Sequence, residues 1–227
     1  MRFSRLPAIL TLGRFLQPCL ECEDDSVTSP RSSARGRPPA ASRELLQESA
    51  FELFIENGYT GTTVDQIATR AGVSRNTFFN YFDAKGEVFW VELDAATERL
   101  KTALADQPSP HAPATEAIRT AMLAAVAPFE SHHVPFILTQ YDLIGSAAEV
   151  QASAMSRFAT QARLLSGYAQ QHGTDSAVAR AHAYSLIACV VAAAQEWAQS
   201  GPQRGRLEPY VHRAIDTVLV ASPSSSV

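Results

Sequence analysis

Cysteine is scarce in this chain: three among 227 residues, at Cys19, Cys22 and Cys189. Such a count excludes a disulfide-stapled scaffold and fits a reducing compartment. Cys19 and Cys22 form a CxxC pair. Structural zinc needs four ligands, and no second pair or nearby histidine supplies the others, so no metal site is expected. Cys189 falls in an apolar helical run, where a thiol acts as a small core residue. Aromatic residues make up only 8%. Few stretches alternate Val, Ile or Thr with polar residues, so no sheet is expected. An excess of positive charge is missing as well: the formal net charge is -4 and the pI about 5.9. Any affinity for nucleic acid must therefore come from one local face. Catalytic signatures are lacking. There is no nucleophile–base set, no convincing carboxylate pair and no phosphate loop with the usual glycine spacing, so neither an enzyme nor a cofactor is expected. The N-terminal apolar run Leu6–Leu20 follows Arg2 and Arg5 but is broken by Pro7, Arg14 and Pro18. It reads as neither a signal peptide nor a membrane span, and no run in the chain approaches a span in length. A cytoplasmic protein without a membrane partner is expected.

What is present is helix-forming. Hydrophobic residues total 46%, and alanine is abundant after residue 112. Residues 1–41 form an extension whose last part, EDDSVTSPRSSARGRPPAA, has a disordered composition. From Ser42, a plausible N-cap, SRELLQESAFELFIENG places Leu46, Ala50, Leu53 and Phe54 on one face and stops at Asn57-Gly58. Thr63 and Gln66 stand at capping-box spacing before a helix Val64–Arg70. Ala71-Gly72-Val73 makes a tight turn, and Ser74 caps a helix Arg75–Tyr81. Asp83 is read as the cap of the next helix, with Glu87 in its first turn, running to about Ala105. The segment QPSPHAP, 107–113, is a break. Beyond it, helices are read at about 114–131, 135–148, 149–172, 175–199 and 207–220. The expectation is an all-α protein of about nine helices. Its domains are a helix-turn-helix at 42–88 and a regulatory and dimerisation body at 89–221, with a tail at 222–227.

The two short helices joined by a glycine-containing turn form a helix-turn-helix pattern. Ala68 is small where the helices cross, Gly72 suits a positive φ, and Val73, Phe78 and Phe82 face inward. Arg75, Asn76, Thr77 and Asn80 are left on the outer face, with no carboxylate among them. Arginine reads guanine, asparagine reads adenine, and the threonine methyl packs on the methyl of thymine. Ser74, Tyr81 and Lys85 suit phosphate oxygens, which fix position. Upstream, Arg31, Arg35 and Arg37 form either a solvated linker or an arm that enters the minor groove.

The run AFELFIENGYTGTTVDQIATRAGVSRNTFFNYFDAKGEVFW resembles the N-terminal domain of the TetR family of bacterial regulators. The resemblance rests on Phe54, Gly58-Tyr59, Thr62-Thr63, Ile67-Ala68, Ala71-Gly72-Val73-Ser74, Phe78, Tyr81-Phe82 and Lys85. It implies a homodimer that binds an inverted-repeat operator in double-stranded DNA and usually represses. It also implies that Thr63, Tyr81 and Lys85 touch phosphates while Arg75, Asn76 and Thr77 face the groove. Within the family, the Thr-Phe-Phe core and Trp90 are similar to regulators tied to the mycofactocin redox system. Those relatives often read SRRTFFRYFPSK, whereas this chain has Asn76, Asn80 and Asp83-Ala84, so two positive charges are absent. A homodimer is expected through residues 175–220, where AVARAHAYSLIACVVAAAQEWA is apolar nearly all round. An unknown small apolar or amphipathic effector is expected among Phe129, Phe136, Tyr141, Met155, Phe158 and Tyr184. His132 and His133 are adjacent and do not face one site, so no metal is assigned to them. Trp197 reads as an anchor whose indole N–H needs an acceptor. The competing class is a helical interaction module that has lost DNA binding.

Overall fold

Helix α1, Arg43–Gly61, carries the buried side chains Leu46, Ala50, Leu53 and Phe54 at the helical spacing read from the sequence. The structure is a computed structural model and describes residues 43–106, 113–140, 144 and 147–219. The cap expected at Ser42 lies outside the described residues. Gly58 takes φ 73 and ψ 164 and kinks α1 near its end, whereas a stop was expected there. The buried Thr62 hydroxyl closes that kink, lying 3.0 Å from the Leu53 carbonyl and 2.9 Å from the Gly58 carbonyl.

Helix α2, Val64–Arg70, opens with the expected capping box: Thr63 N–H donates to Gln66 Oε1 at 2.7 Å, and Gln66 N–H donates to Thr63 Oγ1 at 3.3 Å. Gly72 has φ 68, and Val73 N–H reaches back to Ala68 O at 2.9 Å. Helix α3, Arg75–Phe79, is capped by Ser74, whose Oγ accepts from Thr77 N–H at 3.1 Å. The next element departs from expectation. Asp83 caps nothing. A 3-10 turn, Lys85–Trp90, follows the extended residue Ala84 and leads into α4, Val91–Ala105. Tighter 3-10 winding puts Val88, Phe89 and Trp90 all into the core.

Helix α5, Ala114–Val126, ends five residues short of the expected 131, because Pro128 has no N–H to continue the ladder. Of the helix expected over 135–148, the described residues show a single turn, α6, Phe136–Thr139, which ends where Gln140 takes φ -122 and ψ 27, and Ile144 is again helical. Two long helices follow, α7 (Ala148–Gln171) and α8 (Ser176–Gln199), and then α9 (Glu208–Leu219). Among the described residues these helices stand without any strand, and they make an all-α fold.

α7 packs on α8, α9 closes over α8 and α5, and α4 lies on α5. Their core holds Met122, Leu165, Leu186, Trp197, Val211 and Ile215. Trp197 is fully buried, and its indole N–H finds Gly205 O at 3.0 Å. Cys189 packs half-buried against this core. A second core joins Leu46, Phe54, Ile67, Phe78 and Phe89, and it also takes in Ile144 and Val150 from beyond the break. The described residues accordingly belong to one unit, Pro38–Val227, in which the two cores are bridged.

α8 corrects one expectation. With a mean hydropathy of 1.6, it is long and apolar enough, by length and composition, to cross a membrane. In the fold it instead buries Ala183, Leu186 and Trp197 against its neighbours. A stripe of Ala181, Tyr184, Ser185, Ala188 and Ala192 stays exposed.

Asp175 caps α8 by accepting from Ala177 N–H at 2.9 Å and Val178 N–H at 3.1 Å. The backbone N–H of Val178, then that of Ala177, holds its pKa below the ordinary 3.8. A depressed carboxylate stabilises the fold above its unfolded value, and that stabilisation is lost as pH falls through the folded value. Asp175→Ala should therefore lower the urea midpoint at neutral pH. The deficit relative to wild type should shrink once the pH drops well below 3.8.

Candidate nucleic-acid interface and effector cavity

The outer face of α3 is polar because the inner face is fixed by aromatic packing. Phe78 is buried with its ring centroid 5.4 Å from that of Phe82, which leaves Arg75, Asn76, Asn80 and Tyr81 exposed and Thr77 half-buried. Phe79 is 41% exposed on the same face, a feature the pattern did not single out. Arg75 is not bare. Its Nη1 lies 2.7 Å from Asp65 Oδ2, and its guanidinium is 5.4 Å from the Phe79 centroid. The expectation of a face without a carboxylate is thus corrected. α2 brings Asp65 alongside, and no spacing within α3 could reveal it.

Several other expected DNA contacts hold the module together in this state. The Ser74 and Thr77 hydroxyls lie 2.9 Å apart, and Thr63 is engaged with Gln66. The Lys85 ammonium donates to Tyr59 O at 2.6 Å and Thr62 O at 2.9 Å, and sits 4.1 Å from the Tyr59 ring centroid. Burial pushes its pKa below the ordinary lysine value. One of its three N–H groups remains for another acceptor. Arg70 pairs with Glu52 at 3.0 Å and Glu56 at 2.6 Å, so the side of the module along α1 is acidic. Arg35 and Arg37 lie outside the described residues.

A cavity of about 510 Å³ opens between α4, α5, α7, α8 and the segment 129–138. Phe129, Met155 and Phe158 line it, with Met155 61% exposed. Phe136 and Tyr184 do not line it. Phe136 instead stacks on Phe51 at 4.2 Å, with its ring 6.2 Å from that of Phe89. Tyr184 is 51% exposed. It shares its side of α8 with the lining residue Val191 but sits two turns nearer the N-terminus, beyond Ile187, where the α8 lining begins. Tyr141 is outside the described residues. The lining is almost wholly apolar; its polar members are Trp90, Glu92, Gln151, Gln161 and Gln195. Gln161 Nε2 donates to Thr97 Oγ1 at 2.8 Å. The Glu92 carboxylate accepts from Gln47 Nε2 at 3.1 Å and lies 3.4 Å from His133 Nε2.

α7 ties the cavity to the helix-turn-helix. Val150, Ala154 and Phe158 face the cavity. The adjacent stripe, Glu149, Ser153 and Arg157, faces the N-terminal module. Glu149 accepts from the Tyr59 hydroxyl, and Ser153 donates to Glu87 at 3.0 Å. Arg157 donates to Asp94 Oδ1 at 2.7 Å and Glu87 Oε2 at 2.6 Å, and its guanidinium lies 5.3 Å from the Trp90 ring centroid. Burial opposes its charge. The hydrogen bonds to Asp94 and Glu87 outweigh that and hold its pKa above the ordinary arginine value. Sequence reasoning missed this stripe. Its four-residue spacing was visible, but its partners lie more than 60 residues away and only the fold reveals them.

Residues 46–89 match the family of bacterial regulatory proteins, tetR family, and residues 112–222 match the MftR C-terminal domain. Residues 46–89 are an N-terminal helix-turn-helix domain of the TetR family. It is 26% identical over 171 residues to MftR of Mycobacterium tuberculosis, named for transcriptional regulation of mycofactocin biosynthesis; the match covers 74% of this chain and 85% of that one. The HTH-type transcriptional regulator TcmR of Streptomyces glaucescens is 34% identical over 95 residues, 40% of this chain and 42% of its own length. Among solved structures, FadR of Thermus thermophilus, a TetR-family repressor in complex with lauroyl-CoA, superposes with a TM-score of 0.52 at 21% identity. It covers 82% of this chain and 100% of its own, and it establishes the shared fold.

Replacing Arg157 by methionine leaves Glu87 and Asp94 facing each other without their cation. A fully buried pair broken this way costs about 3–5 kcal/mol, and partial exposure here reduces that to roughly 2 kcal/mol. Urea unfolding should show that loss. Adding Glu87→Gln to Arg157→Met should recover part of it, as a double-mutant cycle measures.

Proposed function

We propose that this protein is a homodimeric, effector-responsive repressor that binds an inverted-repeat operator in the bacterial cytoplasm. The observation that carries the reading is the outer face of α3: polar side chains able to read base edges, mounted on a core that fixes their direction. Arg75, Asn76, Thr77 and Asn80 read bases, while Thr63, Ser74, Tyr81 and Lys85 engage phosphates, joined by Arg35 and Arg37 from the extension. Dimerisation runs through residues 175–220. The exposed stripe of α8 is rich in alanine, which permits close approach of a second copy, and α9 adds a strongly amphipathic neighbour.

The effector is a small apolar or amphipathic molecule seated in the cavity. Its volume and apolar lining are those of a small-molecule site. An occupant pressing on Val150, Ala154 and Phe158 shifts α7. The same helix carries Glu149, Ser153 and Arg157, so the shift moves the helix-turn-helix and changes the spacing between the two recognition helices of the dimer. The match to the MftR C-terminal domain supports a place among mycofactocin-system regulators. A second reading, a helical interaction module without DNA binding, is favoured by one observation: Arg75 is already paired with Asp65.

Selection from random duplexes at two salt concentrations tests the proposal. An inverted repeat should be enriched, with affinity falling steeply as salt rises. Arg75→Ala and Asn76→Ala should each cost about 1–3 kcal/mol at one base position per half-site. Tyr81→Phe should weaken all sequences alike. Unenriched, salt-insensitive binding would favour the interaction module.

A further inference from the structure

The polar chemistry of the cavity is concentrated beside the turn that leads into α4. Glu92 is the only formally charged residue lining the cavity among the described residues. Two positions earlier, Trp90 lines the same cavity at 4% exposure, and its indole N–H is buried without an acceptor among the described residues. An unmet buried donor is costly, and a ligand oxygen can satisfy it. Glu92, two residues on, supplies to the same lining a carboxylate that can accept one more hydrogen bond. We infer that the cavity takes an amphiphile whose polar end is a hydroxyl, an aliphatic alcohol or phenol, accepting from Trp90 and donating to Glu92.

The proposal rests on the effector reading above and narrows it to a ligand class. A hydroxyl is both donor and acceptor and meets both groups with one oxygen. An amine satisfies Glu92 but leaves the indole N–H unmet. A free carboxylate meets the indole but sets a second negative charge beside Glu92 in a poorly solvated site, where repulsion is strong. No lysine or arginine lines the cavity to offset it, and His133, beside Glu92, is exposed. The hydroxyl also enters the contact that Glu92 makes with Gln47 on α1, so occupancy reaches the N-terminal module directly as well as through α7.

Calorimetric titration of the full-length protein at neutral pH with 1-decanol, decylamine and decanoate separates these cases, since the three share one chain. Decanol should bind at least about tenfold more tightly than either of the others. Glu92→Gln, which keeps the shape and removes the charge, should narrow the gap between decanol and decanoate. Trp90→Phe should narrow the gap between decanol and decylamine. Decanoate binding as tightly as decanol on the unmodified protein would overturn the hydroxyl assignment while leaving the cavity as an effector site. Decylamine matching decanol would overturn the role given to Trp90. Failure of all three probes to bind would overturn both this proposal and the effector reading. The wild-type comparison stands even where a variant does not fold.

Discussion

Arg157 lies between Glu87 and Asp94 with its guanidinium over Trp90. Its position fixes the register of α7 against both the 3-10 turn and α4. Ser153 and Glu149, one and two turns earlier, can meet Glu87 and Tyr59 only in that register. Half-buried charges tolerate little displacement, because each bond lost leaves a charge in a poorly solvated site. A helix held this way shifts as a unit or not at all. That property suits an element whose other side lines a cavity.

The aromatic packing plays the complementary part. Phe136 on Phe51, with Phe54, Tyr59 and Phe89 close by, joins α6 to the core of the helix-turn-helix. Such contacts are broad and weakly directional, whereas the carboxylate contacts of Arg157 are directional. The interface between cavity and reading head therefore combines an apolar bed with a polar clasp that selects one setting on it.

Much of this was legible in the sequence, for local reasons. Capping by Thr63 and Ser74, the positive φ of Gly72 and the inward turn of Phe78 depend on residues a few positions apart. The helices failed to read true where local signals were overridden. Asp83 has the chemistry of a cap, but winding begins at Lys85 because Val88, Phe89 and Trp90 must all be buried. Phe136 and Tyr184 are aromatic residues in the expected region. Which side of a packed element, and which turn of it, meets the cavity depends on partners distant in sequence. The Asp65–Arg75 pair is hidden for the same reason: it joins two helices, and the pattern of neither helix shows the other.

That pair has a consequence for how binding would be measured. An arginine paired with a neighbouring carboxylate must give up that partner before it can take another. Were such a residue to exchange its partner for a phosphate, cations released from the DNA would be offset by cations gathered at the bared carboxylate, so the dependence of affinity on salt would count fewer contacts than the interface contains. The cost appears instead at Asp65, which is left to find solvent or a new donor. In the operator complex proposed above, Arg75 would discriminate more by its fit than by its charge, and the net negative charge of the chain would keep attraction to unrelated DNA low.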